Sequence, residues 1–237
     1  MLEFDVVFVT SKPRVPRGML ESCGSAGIRI TAMNNSPHSG MFIPVPGIRE
    51  INVGENAGWV RAANAGLSLA TAPHVVLMND DVEVCCPDWL EKLREPLVAD
   101  SKIAAVGPRS NTASTAGRLK EGPWRKCQEV NLRYDGEGRG DYDPGHHWAI
   151  GSWPLSFFCV MFSQEALKDV GLLDPGLADW YGGDDDDWQR RAWERGWSFA
   201  YQPEVLVKHD GRDSYKGDKA ALQAKSIEYL RKKWGRG

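Results

Sequence analysis

Two adjacent carboxylates at the end of a predicted strand are the first residues in this chain that could do chemistry. Asp80 and Asp81 follow Asn79 and the apolar, β-branched run 74–78, which Pro73 precedes. Such a run predicts a buried central strand, and the residues after it reach the sheet edge where ligands bind in open α/β folds. Adjacent carboxylates repel each other unless a cation or a donor lies between them. The pattern indicates either a Mg²⁺ or Mn²⁺ ion that carries a diphosphate, or a polar turn in which one aspartate caps the next helix.

A second acidic cluster, the four aspartates at 184–187, directly precedes a predicted helix at 189–195 that ends before Gly196. Carboxylates at a helix N-terminus interact favourably with the helix dipole and cap its open N–H groups, which accounts for one or two of the four. Like charges this close should raise the pKa of at least one carboxyl group, as a general base requires. Further along, His209 follows a predicted strand, where it has either a structural role or a place in an oxygen-rich metal site.

Polar residues also follow the other predicted strands of the N-terminal half. Thr10 and Ser11 end the first strand, where they form either a phosphate or base contact or a plain loop. Asn35 follows the second strand, and its amide could cap a turn or read a base edge. Arg61 and Asn64 lie three residues apart on one face of a predicted helix, which faces either a nucleotide or solvent.

These residues need a sheet to bring them together, and the N-terminal half predicts one. Its helices and strands alternate in the order expected of a doubly wound sheet with a nucleotide-sized crevice. No GxGxxG follows the first strand and no GxxxxGK[ST] occurs, which argues against a dinucleotide enzyme and a P-loop NTPase. The predicted strands are 4–10, 28–33, 48–53, 73–79 and 103–106, and the predicted helices are 15–23, 59–70 and 87–99.

The C-terminal half begins with a long segment, 110–150, that is rich in Gly, Ser, Thr, Arg and His. A segment of that length without regular structure predicts either an active-site lid that receives the second substrate or a mobile surface loop. Arg139, His146 and His147 are its candidate contacts. The remaining predicted elements are a strand at 155–162, a helix at 164–170, strand pieces at 199–201 and 205–207, and an amphipathic helix at 220–234.

That last helix has apolar residues at roughly helical spacing and a basic remainder. Such a helix either docks on its own domain or binds a membrane surface or an acceptor. The chain also has ten Trp residues, several of them in the C-terminal half. Sugar and base rings stack on indole faces, but Trp is equally ordinary core filling.

The composition is that of an ordinary globular protein, with 237 residues of which 42% are hydrophobic and 26% charged. A net charge of -3 provides no global basic field for nucleic acid, although it leaves a local groove possible. The five cysteines, an odd number without CxxC spacing, favour unpaired thiols in a reducing compartment. The acidic N-terminus and the lack of a membrane-spanning apolar run predict a cytoplasmic protein, with peripheral attachment at the inner face of a membrane as the alternative.

With these residues in place, the chain resembles an inverting family 2 glycosyltransferase of the GT-A fold over roughly residues 4–214. Five spaced motifs in the family's order carry the resemblance, among them a DxD-type motif and a block similar to Glu-Asp-x-Asp…Arg…Gly. In chain order they are Asn34-Asn35-Ser36, Asn56-x-Gly58 with Asn64-x-Gly66, Asn79-Asp80-Asp81, Asp184-Asp185-x-Asp187 with Arg191 and Gly196, and His209 with Ser214.

The resemblance implies a Rossmann-like doubly wound mixed sheet flanked by helices, in a single domain at 1–214. Residues 1–108 would form the nucleotide-sugar-binding half, 109–214 the acceptor and catalytic half, and 215–237 a C-terminal amphipathic helix.

The implied residue roles follow the same motifs. Asp185 would be the catalytic base, and Asp81 with His209 would hold Mn²⁺ or Mg²⁺. Trp180 and His147 are the expected acceptor contacts. The expected contacts to the nucleotide sugar are Thr10, Ser11, Asn35, Arg61, Asn64, Asn79, Asp80 and Asp184.

The implied activity is that of a hexosyltransferase that moves a sugar from a UDP-, GDP- or dTDP-linked donor to a hydroxyl of a glycan or glycolipid. Met33 stands where the family often has an Asp that reads uracil, which leaves the base open. The alternatives are a metal-dependent phosphohydrolase or nucleotidyltransferase, a glycosyltransferase acting on a modified nucleobase in DNA, and a non-catalytic sugar- or nucleotide-binding module.

Overall fold

The computed structural model describes residues 1–11, 27–35, 47–53, 57–111, 125–127, 153–209 and 218–235. The predicted helix at 15–23 and most of the segment 110–150, with Arg139, His146 and His147, lie outside the described residues. Ser36, Asn56 and Ser214 of the family-like motifs lie outside them as well.

Nine strands of the described residues form one mixed sheet in the order β3-β2-β1-β4-β8-β6-β9-β5, with β7 paired to β9. The neighbours among β1 to β4 are parallel, as are β6 and β9, whereas β8 runs antiparallel to both β4 and β6. The strands are β1 Phe4–Thr10, β2 Ile28–Asn34, β3 Ile48–Asn52, β4 His74–Asn79, β5 Val82–Val84, β6 Ile103–Ser110, β7 Arg125–Lys126, β8 Cys159–Ser163 and β9 Ser198–His209.

Helices cover both faces of this sheet, as the predicted fold class requires. The described helices are α1 Trp59–Ser68, α2 Trp89–Ala99, α3 Gln164–Val170, α4 Asp184–Glu194 and α5 Lys219–Lys233, with a 3₁₀ turn at Pro175–Leu177. Val60 and Leu67 of α1 pack into one apolar cluster, and Trp89 and Leu93 of α2 pack into the other. Burial of apolar side chains on both faces explains why the central strands are continuous apolar runs.

Several predicted elements differ from the observed ones, among them the strand predicted at 103–106, which extends to Ser110. The strand predicted at 155–162 begins only at Cys159, because the backbone N–H and C=O of Leu155 bond to the side-chain amide of Gln189 instead of a strand. The helix predicted at 189–195 begins at Asp184, so the aspartates form its first turn. The two strand pieces are one strand, β9, with a bulge where its register against β6 passes from Gln202 to Leu206.

The C-terminal helix α5 docks on its own domain, which was the first of the two interpretations of its sequence. Its residues Ser226 and Leu230 are buried against the domain. The Tyr229 hydroxyl donates to Asp174 Oδ2 at 2.9 Å, and its ring packs edge-on against Trp180 at 5.1 Å between centroids. Among the described residues no helix combines the length and apolar character needed to cross a membrane.

Candidate active site

The four parallel strands β1 to β4 end together at one edge of the sheet. Thr10 lies opposite Asn34, Asn34 lies opposite Asn52, and Val9 lies opposite Asn79 in the strand register. Because parallel strands present their carboxyl ends at the same edge, this register places a row of polar side chains there. The predicted clustering of strand-end residues is therefore present in the structure.

Asp80 is held at this edge by the first strand. The Thr10 hydroxyl donates to Asp80 Oδ2 at 2.8 Å, and Thr10 itself is buried. The Asn35 backbone N–H donates to the Thr10 carbonyl at 2.7 Å, which ties the end of β2 to the same point. One carboxylate of the first acidic pair thus has a fixed orientation, and the nucleotide role predicted for Thr10 and Asp80 stays a prediction.

Asp81 and His209 face each other although they come from distant parts of the chain. The imidazole Nε2 of His209 lies 3.2 Å from Asp81 Oδ1. The pairing of β5 with β9 causes this, because Val82 stands opposite His209. Phe158 stacks on the imidazole, with 4.7 Å between ring centroids and 8° between planes, and so fixes the ring.

These two residues fit a metal ion that also takes oxygens from its substrate. Mn²⁺ and Mg²⁺ in phosphate sites are commonly bound by one or two protein ligands together with phosphate oxygens and water. Asp81 offers a carboxylate and His209 an imidazole, with side chains only 10% and 19% exposed. Within the described residues there is no group of three or more metal-binding side chains.

The second acidic cluster forms the first turn of α4, and three of its four carboxylates have partners from other elements. Two glycines with positive φ, Gly182 at 73° and Gly183 at 90°, turn the chain sharply into the helix. The partners of Asp184, Asp186 and Asp187 come from α1, from the segment before β8, and from α4 and α5. They are Trp59 Nε1 to Asp184 Oδ2 at 3.1 Å, Trp153 N–H to Asp186 Oδ1 at 3.1 Å, and Arg191 Nε and Lys233 Nζ to the two oxygens of Asp187 at 2.8 and 2.6 Å.

Asp185 differs from its three neighbours. Its side-chain contact among the described residues is local, since Oδ1 accepts from the backbone N–H of Asp186 at 3.0 Å. It is also the only one of the four that is partly exposed. Loss of hydration raises the pKa of Asp185 well above its usual value, and the charges of Asp186 and Asp184 raise it further. A partly exposed residue whose carboxyl group has an increased proton affinity suits a general base.

A chain of hydrogen bonds connects the first acidic cluster to the second. Asn35, which is bonded to Thr10, accepts from the Ala57 N–H at 2.8 Å and donates to the Gly58 carbonyl at 3.3 Å through its side-chain amide. Gly58 precedes α1, whose first residue, Trp59, donates to Asp184. A Cβ at Gly58 would lie 2.7 Å from the Ala178 carbonyl oxygen, so the close approach of these segments requires glycine.

The segment that precedes β8 makes a second connection between the clusters. Its first described residue, Trp153, contacts Asp186, and its last, Phe158, stacks on His209. The Phe158 carbonyl also accepts from the Asn79 N–H at 2.8 Å, next to the first acidic pair. Both acidic clusters are therefore attached to the same edge of the sheet through short chains of contacts.

Other predicted contacts have partners inside the protein. Arg61 Nη1 lies 2.6 Å from Asp179 Oδ1 at the surface. The Asn64 amide bonds twice to the Leu173 backbone, donating at 2.8 Å and accepting at 2.9 Å. Trp180 packs on α5, as described above, and His147 lies outside the described residues. The binding roles given to these residues from the sequence, and those of Ser11, Asn35, Asn79 and Asp184, stay predictions.

The sequence did not reveal which residues hold the aspartate turn in place. Trp59 and Trp153 were two of many Trp residues, and only the position of Trp59 directly after the Gly58 motif could have drawn attention to it. Lys233 was one of several cations in the last helix, and nothing in its sequence context connects it to Asp187.

The fold and this edge together define a class of protein, the GT-A glycosyltransferases. The chain belongs to glycosyltransferase family 2: the family model described as "Glycosyltransferase like family 2" matches residues 43–231, more than half of the chain. No curated protein matches the sequence.

The solved structures with similar folds include two glycosyltransferases. GalNAc-T7, solved with UDP, GalNAc and Mn²⁺, is 15% identical with a TM-score of 0.63, and the match covers 98% of this chain and 48% of that one. The mannosyltransferase PcManGT from Pyrobaculum calidifontis, solved with GDP-Man and Mn²⁺, is 14% identical with a TM-score of 0.57, covering 99% of this chain and 72% of that one. The chain thus spans about half the length of GalNAc-T7, and the likeness to both confirms the predicted fold.

Proposed function

We propose that this protein is a metal-dependent, inverting glycosyltransferase that moves a sugar from a nucleoside-diphosphate sugar to an acceptor hydroxyl. Family membership supports transfer, and the use of UDP or GDP-mannose with Mn²⁺ in the two similar structures supports the donor class. The observation that carries the proposal is that the key carboxylates of the two acidic clusters have different surroundings. Asp81 is paired with an imidazole, whereas Asp185 is a partly exposed residue whose carboxyl group has a raised pKa.

Asp81 and His209 would hold Mn²⁺ or Mg²⁺, which when bound stabilises the negative charge of the leaving diphosphate. Phe158 keeps the imidazole in one plane, and the β5–β9 pairing keeps the carboxylate opposite it. Asp80, whose carboxylate is oriented by the Thr10 hydroxyl, would contact the ribose or the hydration shell of the ion.

Asp185 acts on the acceptor. An acceptor hydroxyl is a weak nucleophile, and it becomes stronger as Asp185 removes its proton during attack. A bond forms between the acceptor oxygen and the anomeric carbon while the bond from that carbon to the diphosphate oxygen breaks. The proton stays on the Asp185 carboxyl group and the electron pair leaves with the diphosphate. A single displacement inverts the anomeric centre and needs no covalent sugar–enzyme intermediate.

The experiment that tests this proposal is an assay of UDP-, GDP- and dTDP-sugars with Mn²⁺, in which the released nucleotide is identified. Release of nucleoside diphosphate supports attack at the sugar. Release of nucleoside monophosphate means attack at phosphorus, and would favour the phosphohydrolase or nucleotidyltransferase alternative.

A pair of variants tests the base. Asp185→Asn should keep donor binding and lose turnover by about 10²- to 10⁴-fold, the usual contribution of a general base. The surface carboxylate Glu194, at the other end of the same helix and paired with Arg190, provides the control Glu194→Gln, which should retain turnover. Undiminished turnover in Asp185→Asn would show that the base is a different group.

The nucleobase of the donor is best identified by the same screen of nucleotide sugars. Two residues at the end of β2 bear on how the protein could recognise that nucleobase. Met33 is fully buried in the core, so its side chain is not available to a base. The neighbouring Asn34 donates from Nδ2 to Glu50 Oε1 at 3.0 Å and is the next polar side chain on that strand. Glycans and glycolipids are the proposed acceptors, and a cytoplasmic location stays a proposal made from the sequence.

A further inference from the structure

Lys233, in the last turn of α5, lies between two carboxylates that belong to different parts of the domain. Its Nζ is 2.6 Å from Asp187 Oδ1 in α4 and 2.5 Å from Asp174 Oδ2 in the turn before the 3₁₀ segment. The family match ends at residue 231, so Lys233 lies just outside the region that the family model describes. Neither the match nor the proposed mechanism gives this residue a role.

The contact with Asp187 is the more demanding one. The Asp187 side chain is fully buried. Its Oδ2 accepts a hydrogen bond from Arg191 Nε, whereas Oδ1 is paired by charge with Lys233 Nζ at 2.6 Å, without the geometry of a hydrogen bond. A buried carboxylate oxygen that loses its partner must regain one by admitting water or by moving. Arg191 cannot easily compensate, since its guanidinium also donates to the Val170 and Leu172 carbonyls at 2.7 and 2.8 Å.

Asp187 and Asp185 belong to the same helical turn, so a shift of one moves the other. In that turn Asp187 contacts both Arg191 and Lys233, whereas the Asp185 side chain has the local contact to Asp186 described above. The orientation of Asp185 is consequently set by the anchoring of its neighbours.

The docking of α5 is close enough to transmit this constraint. Tyr229 donates to the same Asp174 oxygen that Lys233 contacts. A Cβ placed on Gly176 would overlap the Tyr229 hydroxyl, so the 3₁₀ turn and α5 are in direct contact. Contacts of α5 other than those of Lys233 therefore help to hold the helix where Lys233 reaches Asp187.

We propose that Lys233 is a positioning residue of the transferase: by neutralising Asp187 it holds the first turn of α4 so that the Asp185 carboxylate faces the acceptor. The proposal rests on the proposed role of Asp185. It makes the C-terminal helix part of the catalytic apparatus and distinguishes the two contacts of Lys233. The contact with Asp187 serves turnover, and the contact with Asp174 serves docking.

The test compares Lys233→Met with three variants of the full chain, assayed with the donor that the screen identifies and with Mn²⁺. Lys233→Arg keeps the charge. Lys232→Met removes a neighbouring cation that pairs with Glu228 on the solvent side of the same helix. Asp174→Asn removes the docking partner and leaves the contact with Asp187 in place.

Lys233→Met should lower kcat at least tenfold, with the KM for the donor changed less than threefold, at a temperature where circular dichroism shows the variant folded. Lys233→Arg should restore kcat to within threefold of the parent, and Lys232→Met should match the parent. Asp174→Asn should lower the Tm but keep kcat. If Lys233→Met does not fold, Lys233→Gln, which removes the charge and retains a polar group, provides the same comparison.

Two results would overturn the proposal. One is an unchanged kcat in folded Lys233→Met or Lys233→Gln, and the other is an equal loss of kcat in Asp174→Asn, which would reduce Lys233 to a docking contact. Failure of the proposed function is recognised separately, because Asp185→Asn would then retain turnover whatever the Lys233 variants do.

Discussion

Removing the charge of Asp187 or of Asp185, both in the first turn of α4, should have opposite effects on the stability of the protein. Asp187→Asn removes the charge that two cations share, and the amide oxygen can still accept only one of their contacts. Breaking a buried ion pair on one side usually costs about 3–5 kcal/mol. Arg191 and Lys233 keep 16% and 26% of their side chains exposed, so solvent screens the loss. We therefore expect Asp187→Asn to lower the free energy of unfolding by about 3 kcal/mol at pH 7, the low end of that range.

For a chain of this length a loss of about 3 kcal/mol lowers the Tm by roughly 6–12 °C. Asp185→Asn should not lower the Tm and should raise it, because the fold raises the pKa of that carboxyl group and therefore disfavours its charged form. Urea unfolding followed by Trp fluorescence, with the slope m compared between variants, measures both effects.

The comparison refutes the reasoning if Asp185→Asn loses as much stability as Asp187→Asn. That result would mean that Asp185 has an anchoring contact like those of its neighbours. Asp186→Asn serves as an intermediate case, since its amide oxygen can still accept from the Trp153 N–H.

Three further expectations follow from the same contacts. The stability gained in Asp185→Asn should vanish as the pH falls below the ordinary carboxyl pKa, grow as the pH rises from there towards the raised folded-state pKa, and level off above it, which urea titrations at several pH values can follow. Trp59→Phe should cost about 1–3 kcal/mol in urea unfolding, because buried Asp184 loses its indole donor. Asp81→Asn and His209→Asn should each weaken Mn²⁺-dependent donor binding in calorimetry while the Tm without metal changes by less than about 4 °C, equivalent to roughly 1 kcal/mol.

Much of the fold could be predicted from local pattern. The strand β1 and the helix α3 have the predicted bounds, because a continuous apolar run and a Ser N-cap with a C-terminal glycine are signals contained within a few residues. Residues 155–158 were mistaken for strand because an apolar run does not show whether its backbone partners are a strand or, as for Leu155, a Gln side chain.

The start of α4 is a second place where local sequence did not determine the boundary of an element. The cluster of four aspartates was recognised as a helix N-terminus, but the helix was predicted to begin after them rather than with them. The turn made by Gly182 and Gly183 decides the starting point, and its backbone angles depend on what the surrounding segments contact.

The sequence by itself determined the types and order of the reactive groups: two acidic clusters, each at the end of a recognisable element, and a histidine after the last strand. Tertiary structure alone decided which of them meet. It paired Asp81 with His209 through an antiparallel contact between β5 and β9. It also gave three of the four aspartates contacts from other elements and left Asp185 partly exposed with a local contact. The physical reason is that residue type and local spacing set what a side chain can do, whereas its partner depends on contacts between segments far apart in the chain.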